Sequence, residues 1–155
     1  MPAEPVRPSH LLELGHRHIA YLGGLANHHF RPMHATAVGV LADAGLPLPP
    51  PWDAQARTLT VRAGKESGQD LLAGARRPSA VFCADDRLAL GLLQALHESN
   101  LRASDDLAVV GFGDSPHATV ATVPLTTVRR PLSEVRRRAV PLLSSGCCAS
   151  RTHGS

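Results

Sequence analysis

The stretch AVFCADDRLALGLLQAL, residues 80–96, constrains the fold of this chain more than any other. Ala80, Val81, Phe82, Cys83 and Ala84 form a short continuous apolar run, the pattern of a strand buried on both faces. Asp85 and Asp86 follow directly, and then Leu88, Leu92, Leu93 and Leu96 recur at helical spacing. A strand that runs through carboxylates into a helix is half of a βαβ unit. Two roles are open to the aspartates. Acidic side chains at a helix start accept from the free N–H groups and oppose the positive end of the dipole, and capping is the commoner use of Asp there. The other role is ligand contact, because ligands of open parallel sheets bind just beyond the C-terminal ends of the strands.

The rest of the chain repeats this alternation. Residues 1–8 are Pro-rich and expected to be disordered. Ser9 is placed to cap a short helix with Leu11, Leu12 and Leu14 on its apolar side and Gly15 as its stop. Residues 19–22 read as a strand ended by Gly23-Gly24. Phe30, Met33, Ala37, Val40, Leu41 and Ala44 mark one face of a helix that Gly45 stops. Pro47, Pro49, Pro50 and Pro51 make the following segment an extended surface connection. Leu59-Thr60-Val61 reads as a weak strand and residues 65–75 as a helix. Residues 107–112 are another buried-type strand, ending in Gly113-Asp114, and residues 125–128 a further one. Pro131 opens a last helix to residue 143, and the patternless tail 144–155 is expected to be disordered.

At 155 residues the chain suits one domain, here residues 9–143. Strands alternating with helices imply an α/β fold, a parallel sheet flanked by helices. Right-handed crossovers then bring the C-terminal strand ends to one edge. Gly23-Gly24, Asp85-Asp86 and Gly113-Asp114 are expected to converge there. Carboxylates among glycines, with no basic clamp, suit a polyhydroxy ligand, since ionised Asp accepts several hydroxyl hydrogen bonds. A phosphate fits such an acidic edge poorly, and the chain contains neither GxGxxG nor GxxxxGK[ST], so no nucleotide cofactor is expected.

Other chemistries find less support. There is no GxSxG and no HExxH, and no nucleophile–base pair is visible, so the expectation is a non-enzyme. His28, His29 and His34 are close in sequence, but closed metal sites normally need four convergent ligands, and a polar loop before a helix is the plainer reading. Arg129, Arg130, Arg136, Arg137 and Arg138 are basic, yet Leu132, Val135 and Ala139 interrupt them as a solvated helix face would. A net charge of +3 is weak support for a nucleic-acid partner. The three cysteines, Cys83 in an apolar strand and Cys147-Cys148 in the tail, form no disulfide framework. The N-terminus has no apolar core of a signal peptide and no run of 18 apolar residues occurs, so a cytoplasmic protein without a membrane partner is expected.

Four blocks resemble the LacI/GalR family of bacterial transcription regulators: HLLELGHRHIAYLGG, RPSAVFCADDRLALGLLQAL, DDLAVVGFGDSP and PLTTVRRP, in the family's order and spacing. The resemblance implies a Rossmann-like, periplasmic-binding-protein-like sensor, of which this chain matches mostly the C-terminal lobe. It implies a sugar or nucleoside effector bound between two lobes, DNA contact through a helix-turn-helix outside this sequence, and a homodimer. By the same resemblance residues 9–15 and 131–143 are helices of the N-terminal lobe, left without their partner. Asp86 matches the family aspartate, and Asp85 stands where the family has an effector-contacting asparagine. Asp114 keeps the second aspartate of the block in which Gly113 replaces the first. Met33 and Thr36 align with a pocket arginine and a glycine, with Arg31 two residues early. The resemblance thus points to Gly24, Arg31, Asp85, Asp86 and Asp114 as effector contacts. The two losses imply affinity no tighter than about millimolar. A transport-type solute-binding protein shares this fold and is the alternative reading; a small α/β enzyme is the third.

Overall fold

The computed structural model describes residues 8–24, 28–113 and 126–128. They build a five-stranded sheet in the order β2-β1-β3-β4-β5. The strands are β1 (Ile19–Gly23), β2 (Asp53–Gln55), β3 (Ala80–Cys83), β4 (Ala108–Phe112) and β5 (Thr126–Val128), and every neighbouring pair is parallel. Four helices accompany them: α1 (Pro8–Glu13), α2 (Arg31–Asp43), α3 (Val61–Ala73) and α4 (Asp86–Glu98). The expected α/β parallel sheet is therefore present.

Strand alternation sorts the core into two layers. Ala20, Leu22, Val81 and Cys83 face α3 and α4, packing with Leu71, Leu88, Leu92 and Leu96. Ile19, Tyr21, Ala80 and Phe82 face the other way, with Leu11 of α1 and Phe30, Ala37 and Leu41 at α2. β1 and β3 are buried at every residue, as strands covered on both faces must be. The chain leaves β1 through α2 to the edge strand β2, then returns through α3 past β1 to β3. The direction of winding reverses between β1 and β3, and a crevice opens at such a switch point beyond the C-terminal strand ends.

Helix ends follow local chemistry. α1 stops at Gly15, φ +91°, where the His16 N–H reaches the Leu11 carbonyl and the Gly15 N–H the Leu12 carbonyl. That closure leaves Leu14 63% exposed, against the expectation that it joins the apolar side. Leu11, by contrast, is 1% exposed on the sheet, so α1 is partnered within this chain rather than orphaned. The expected strand at Leu59-Thr60-Val61 is absent. Thr60 instead caps α3, its Oγ1 accepting from the Ala63 N–H at 3.1 Å, and the strand lies earlier at β2. β-Branched residues at 60 and 61 imitate a strand, but the hydroxyl satisfies the free helix N–H better than a ladder would.

α3 and α4 pack backbone to backbone. A Cβ on Gly64 would collide with the carbonyl and Cα of Leu88, one on Gly91 with Val61 and Lys65 backbone, and one on Gly68 would stand 2.8 Å from Leu92 Cδ1. Lys65 to Glu98, 2.5 Å, closes the exposed rim of this pair. Among the described residues, no helix is long and apolar enough to cross a membrane. The expected helix at 131–143, the disordered tail and the first seven residues lie outside the described residues.

Candidate functional site

Three strand ends meet at the switch point. The Gly23 carbonyl accepts the Ala56 N–H at 2.7 Å, and the Leu22 carbonyl accepts the Ala84 N–H at 2.8 Å. These bonds fix the end of β1 beside the end of β3, so Gly24 and Asp85 leave the sheet at neighbouring places. β4 lies on the far side of β3 and ends at Gly113, φ +132°. A Cβ on Gly113 would stand 3.6 Å from Oδ2 of Asp86. Asp86, after β3, and Gly113, after β4, are thus brought together here, and Gly24 leaves β1 beside the end of β3.

The two aspartates divide the roles left open by the sequence. Asp85 is the cap of α4: its Oδ1 accepts the Arg87 backbone N–H at 2.8 Å. The Arg87 guanidinium also grips it, Nε to Oδ1 at 2.9 Å and Nη2 to Oδ2 at 3.1 Å. This edge therefore does have a basic clamp, contrary to expectation, because a two-residue spacing across a helix start lets Arg87 fold back on the cap. The same hydrogen bonds to Asp85 raise the Arg87 pKa further. Asp86 is not the cap. It occupies the first turn of α4, is 1% exposed, and is the one fully buried charged side chain among the described residues. The positive helix end favours a carboxylate in that place. Burial, with the charges of Asp86 and Asp85 added, pushes the neighbouring Cys83 thiol far up and keeps it protonated.

Gly24 is buried, and its missing Cβ faces Leu59 Cδ2 at 3.2 Å and the Ala56 carbonyl at 3.5 Å. Close approach of the loop after β2 accounts for a glycine there. Arg31 is the exposed first residue of α2. Met33, two residues on in the same turn, is partly buried against the Tyr21–Phe82 layer. Asp114 lies outside the described residues.

One polar contact is not foreseen from sequence, which groups His34 only with His28 and His29. His34 Nε2 lies 2.9 Å from both carboxylate oxygens of Asp53, joining α2 to β2. Its ring meets Tyr21 edge-on at 5.0 Å and 72°. His34 and Asp53 are separated by 19 residues and a proline-rich connection, so no local spacing links them. Only the pairing of β2 beside β1, Asp53 opposite Tyr21, creates the contact. Tyr21 is 1% exposed, and burial, then Asp53 and Cys83, pushes its phenol well above its ordinary value.

Comparison with known proteins bears on what such an edge does. Residues 9–153 match the model of the periplasmic binding protein-like domain. The chain is 34% identical over 135 residues to the HTH-type transcriptional repressor PurR of Erwinia tasmaniensis, covering 86% of this chain and 39% of that protein. It is 31% identical over 137 residues to the ribose operon repressor of Escherichia coli K12, covering 86% and 41%. It thus spans about two fifths of the length of these curated relatives. Its structure superposes on a LacI family transcriptional regulator from Lactobacillus casei with bound glucose at a TM-score of 0.81 and 28% identity, covering 95% of this chain and 55% of that one.

Proposed function

Because this chain belongs to the periplasmic binding protein-like family, as an effector-binding domain of LacI/GalR type, we propose that its sheet edge is one wall of a small-molecule sensor. The effector is a neutral polyhydroxy compound of the sugar class. Asp85 and Asp86 contact it from β3, Asp114 from β4, Arg31 from the start of α2, and the backbone at Gly24 from β1. The observation that carries this reading is the convergence of Gly24, Asp85, Asp86 and Gly113 at the switch point between β1 and β3. Three N–H donors already take most of the acceptor capacity of Asp85. The Arg87–Asp85 pair neutralises one charge at the mouth and leaves guanidinium donors for ligand hydroxyls.

The effector adjusts DNA binding rather than being transformed, in the cytoplasm and within a dimer whose helix-turn-helix lies outside this sequence. Support comes from the relatives, which are named as transcriptional repressors, and from the glucose in the Lactobacillus casei regulator.

Thermal unfolding with D-ribose, D-glucose and sucrose tests the proposal. For a dissociation constant of about 1 mM, sugar at about 100 mM adds about 2.7 kcal/mol of stability. At least one sugar is expected to raise the melting temperature accordingly, and Asp86→Asn to abolish most of that rise. No shift with any of the three would overturn it.

A further inference from the structure

Tyr21 carries the one buried side-chain oxygen among the described residues that has no hydrogen-bond partner in the structure. Such a hydroxyl costs stability, and phenylalanine would fill the same layer without that cost. The position of the oxygen is specific. The ring leans along β1 toward its C-terminal end, and its Oη lies 2.6 Å, its Cζ 2.7 Å, from where a Cβ on Gly23 would stand. Any larger residue at position 23 would occupy the space the hydroxyl uses.

The ring is also held in place. Phe82 stacks on it at 6.2 Å and 27°. His34, fixed by both oxygens of Asp53 at 2.9 Å, closes on its edge at 5.0 Å. The phenol is thus clamped under the end of β1, the strand that borders the switch point on one side as Asp85 and Asp86 do on the other. We propose that Tyr21 is a specificity-determining residue of the sensor site, its Oη donating from beneath Gly23 to an oxygen of the bound polyhydroxy effector. The inference rests on the sensor reading and deepens it.

The surroundings select the acceptor. The phenol stays protonated and offers a single O–H. Asp53 beside it disfavours an anionic acceptor, so a hydroxyl or ring oxygen fits and a carboxylate or phosphate does not. The hydroxyl is buried beneath Gly23, so contact requires the Gly23 backbone, held through its carbonyl by the Ala56 N–H at 2.7 Å, to move outward.

The chain has one tyrosine, so an isotope label on tyrosine reports this ring alone. Wild type and Tyr21→Phe are titrated with D-ribose, D-glucose and sucrose, with calorimetry for affinity. At least one sugar is expected to move the Tyr21 ring signals of the wild type. Tyr21→Phe should raise the dissociation constant of that sugar by about threefold to tenfold, the usual effect of one hydrogen bond. Without sugar, Tyr21→Phe should melt no lower than wild type. Unchanged affinity in the variant would overturn the role of Tyr21 and leave the sensor reading standing. A clear loss of melting temperature without sugar would also overturn it, by giving the hydroxyl a structural role. Failure of the wild type to bind any of the three would overturn the sensor reading and this inference together.

Discussion

The Asp85 carboxylate accepts the Arg87 backbone N–H and two guanidinium bonds, which fill three of its roughly four acceptor positions. Capping and ligand contact are therefore not exclusive for this residue, but capping takes most of its capacity. The side chains can be separated by substitution. Asn caps about as well as Asp, and the Arg87 side chain is 48% exposed, so the ion pair contributes at most about 1 kcal/mol. Asp85→Asn should stay within about 1 kcal/mol of wild type in urea unfolding. Asp85→Ala loses the cap and leaves Arg87 unpaired, with an expected loss of about 1–2 kcal/mol. Equal stability of Asp85→Ala and wild type would show that α4 starts without this cap. The aspartate pair was legible in the sequence because strand and helix patterns abut at that point. Which aspartate caps was not, since either side chain can reach a free N–H until the backbone of residue 85 is known to be extended, φ −146°.

Among the elements, the α3–α4 contact is the most exacting. Gly64 and Gly91 let two helix backbones touch, and neither neighbour is a flexible side chain that can move aside. Overpacking of this kind costs about 1–3 kcal/mol and occasionally more, because the helices must separate and Leu88 and Leu92 lose their seats. Gly64→Ala and Gly91→Ala should each lower stability by at least that amount in denaturant melts, although alanine favours helix by about 1 kcal/mol over glycine. Gly39 of α2, with nothing near its Cβ position, is the control: Gly39→Ala should stabilise. The helices were readable from apolar spacing, and β1, β3 and β4 from apolar runs. The strand β2 was not. It is three residues of an edge, Asp53, Ala54 and Gln55, partly exposed and without alternation or β-branched side chains. Its register against β1 supplies what its own sequence lacks. The His34–Asp53 contact depends on that register and was hidden for the same reason.

At the scale of the molecule, the strand order 2-1-3-4-5 decides where a ligand is met. α2 lies on one face and α3 and α4 on the other, and the direction of winding reverses between β1 and β3, where ligands of open parallel sheets bind beyond the strand ends. The convergence of Gly24 with Asp85 and Asp86 was readable once a parallel sheet was inferred, because every strand then points the same way. The basic partner Arg87 and the buried hydroxyl of Tyr21 were not readable, since both depend on side-chain directions that spacing does not specify. If the sheet edge is the sensor wall proposed above, this edge and no other surface receives the effector. Amide NMR during titration with D-ribose, D-glucose and sucrose tests it most directly. Shifts are expected to concentrate at Gly23, Gly24, Ala84, Asp85, Asp86 and Gly113, with α3 and the far ends of the strands unmoved. Shifts centred on α3, or spread evenly over the surface, would contradict it.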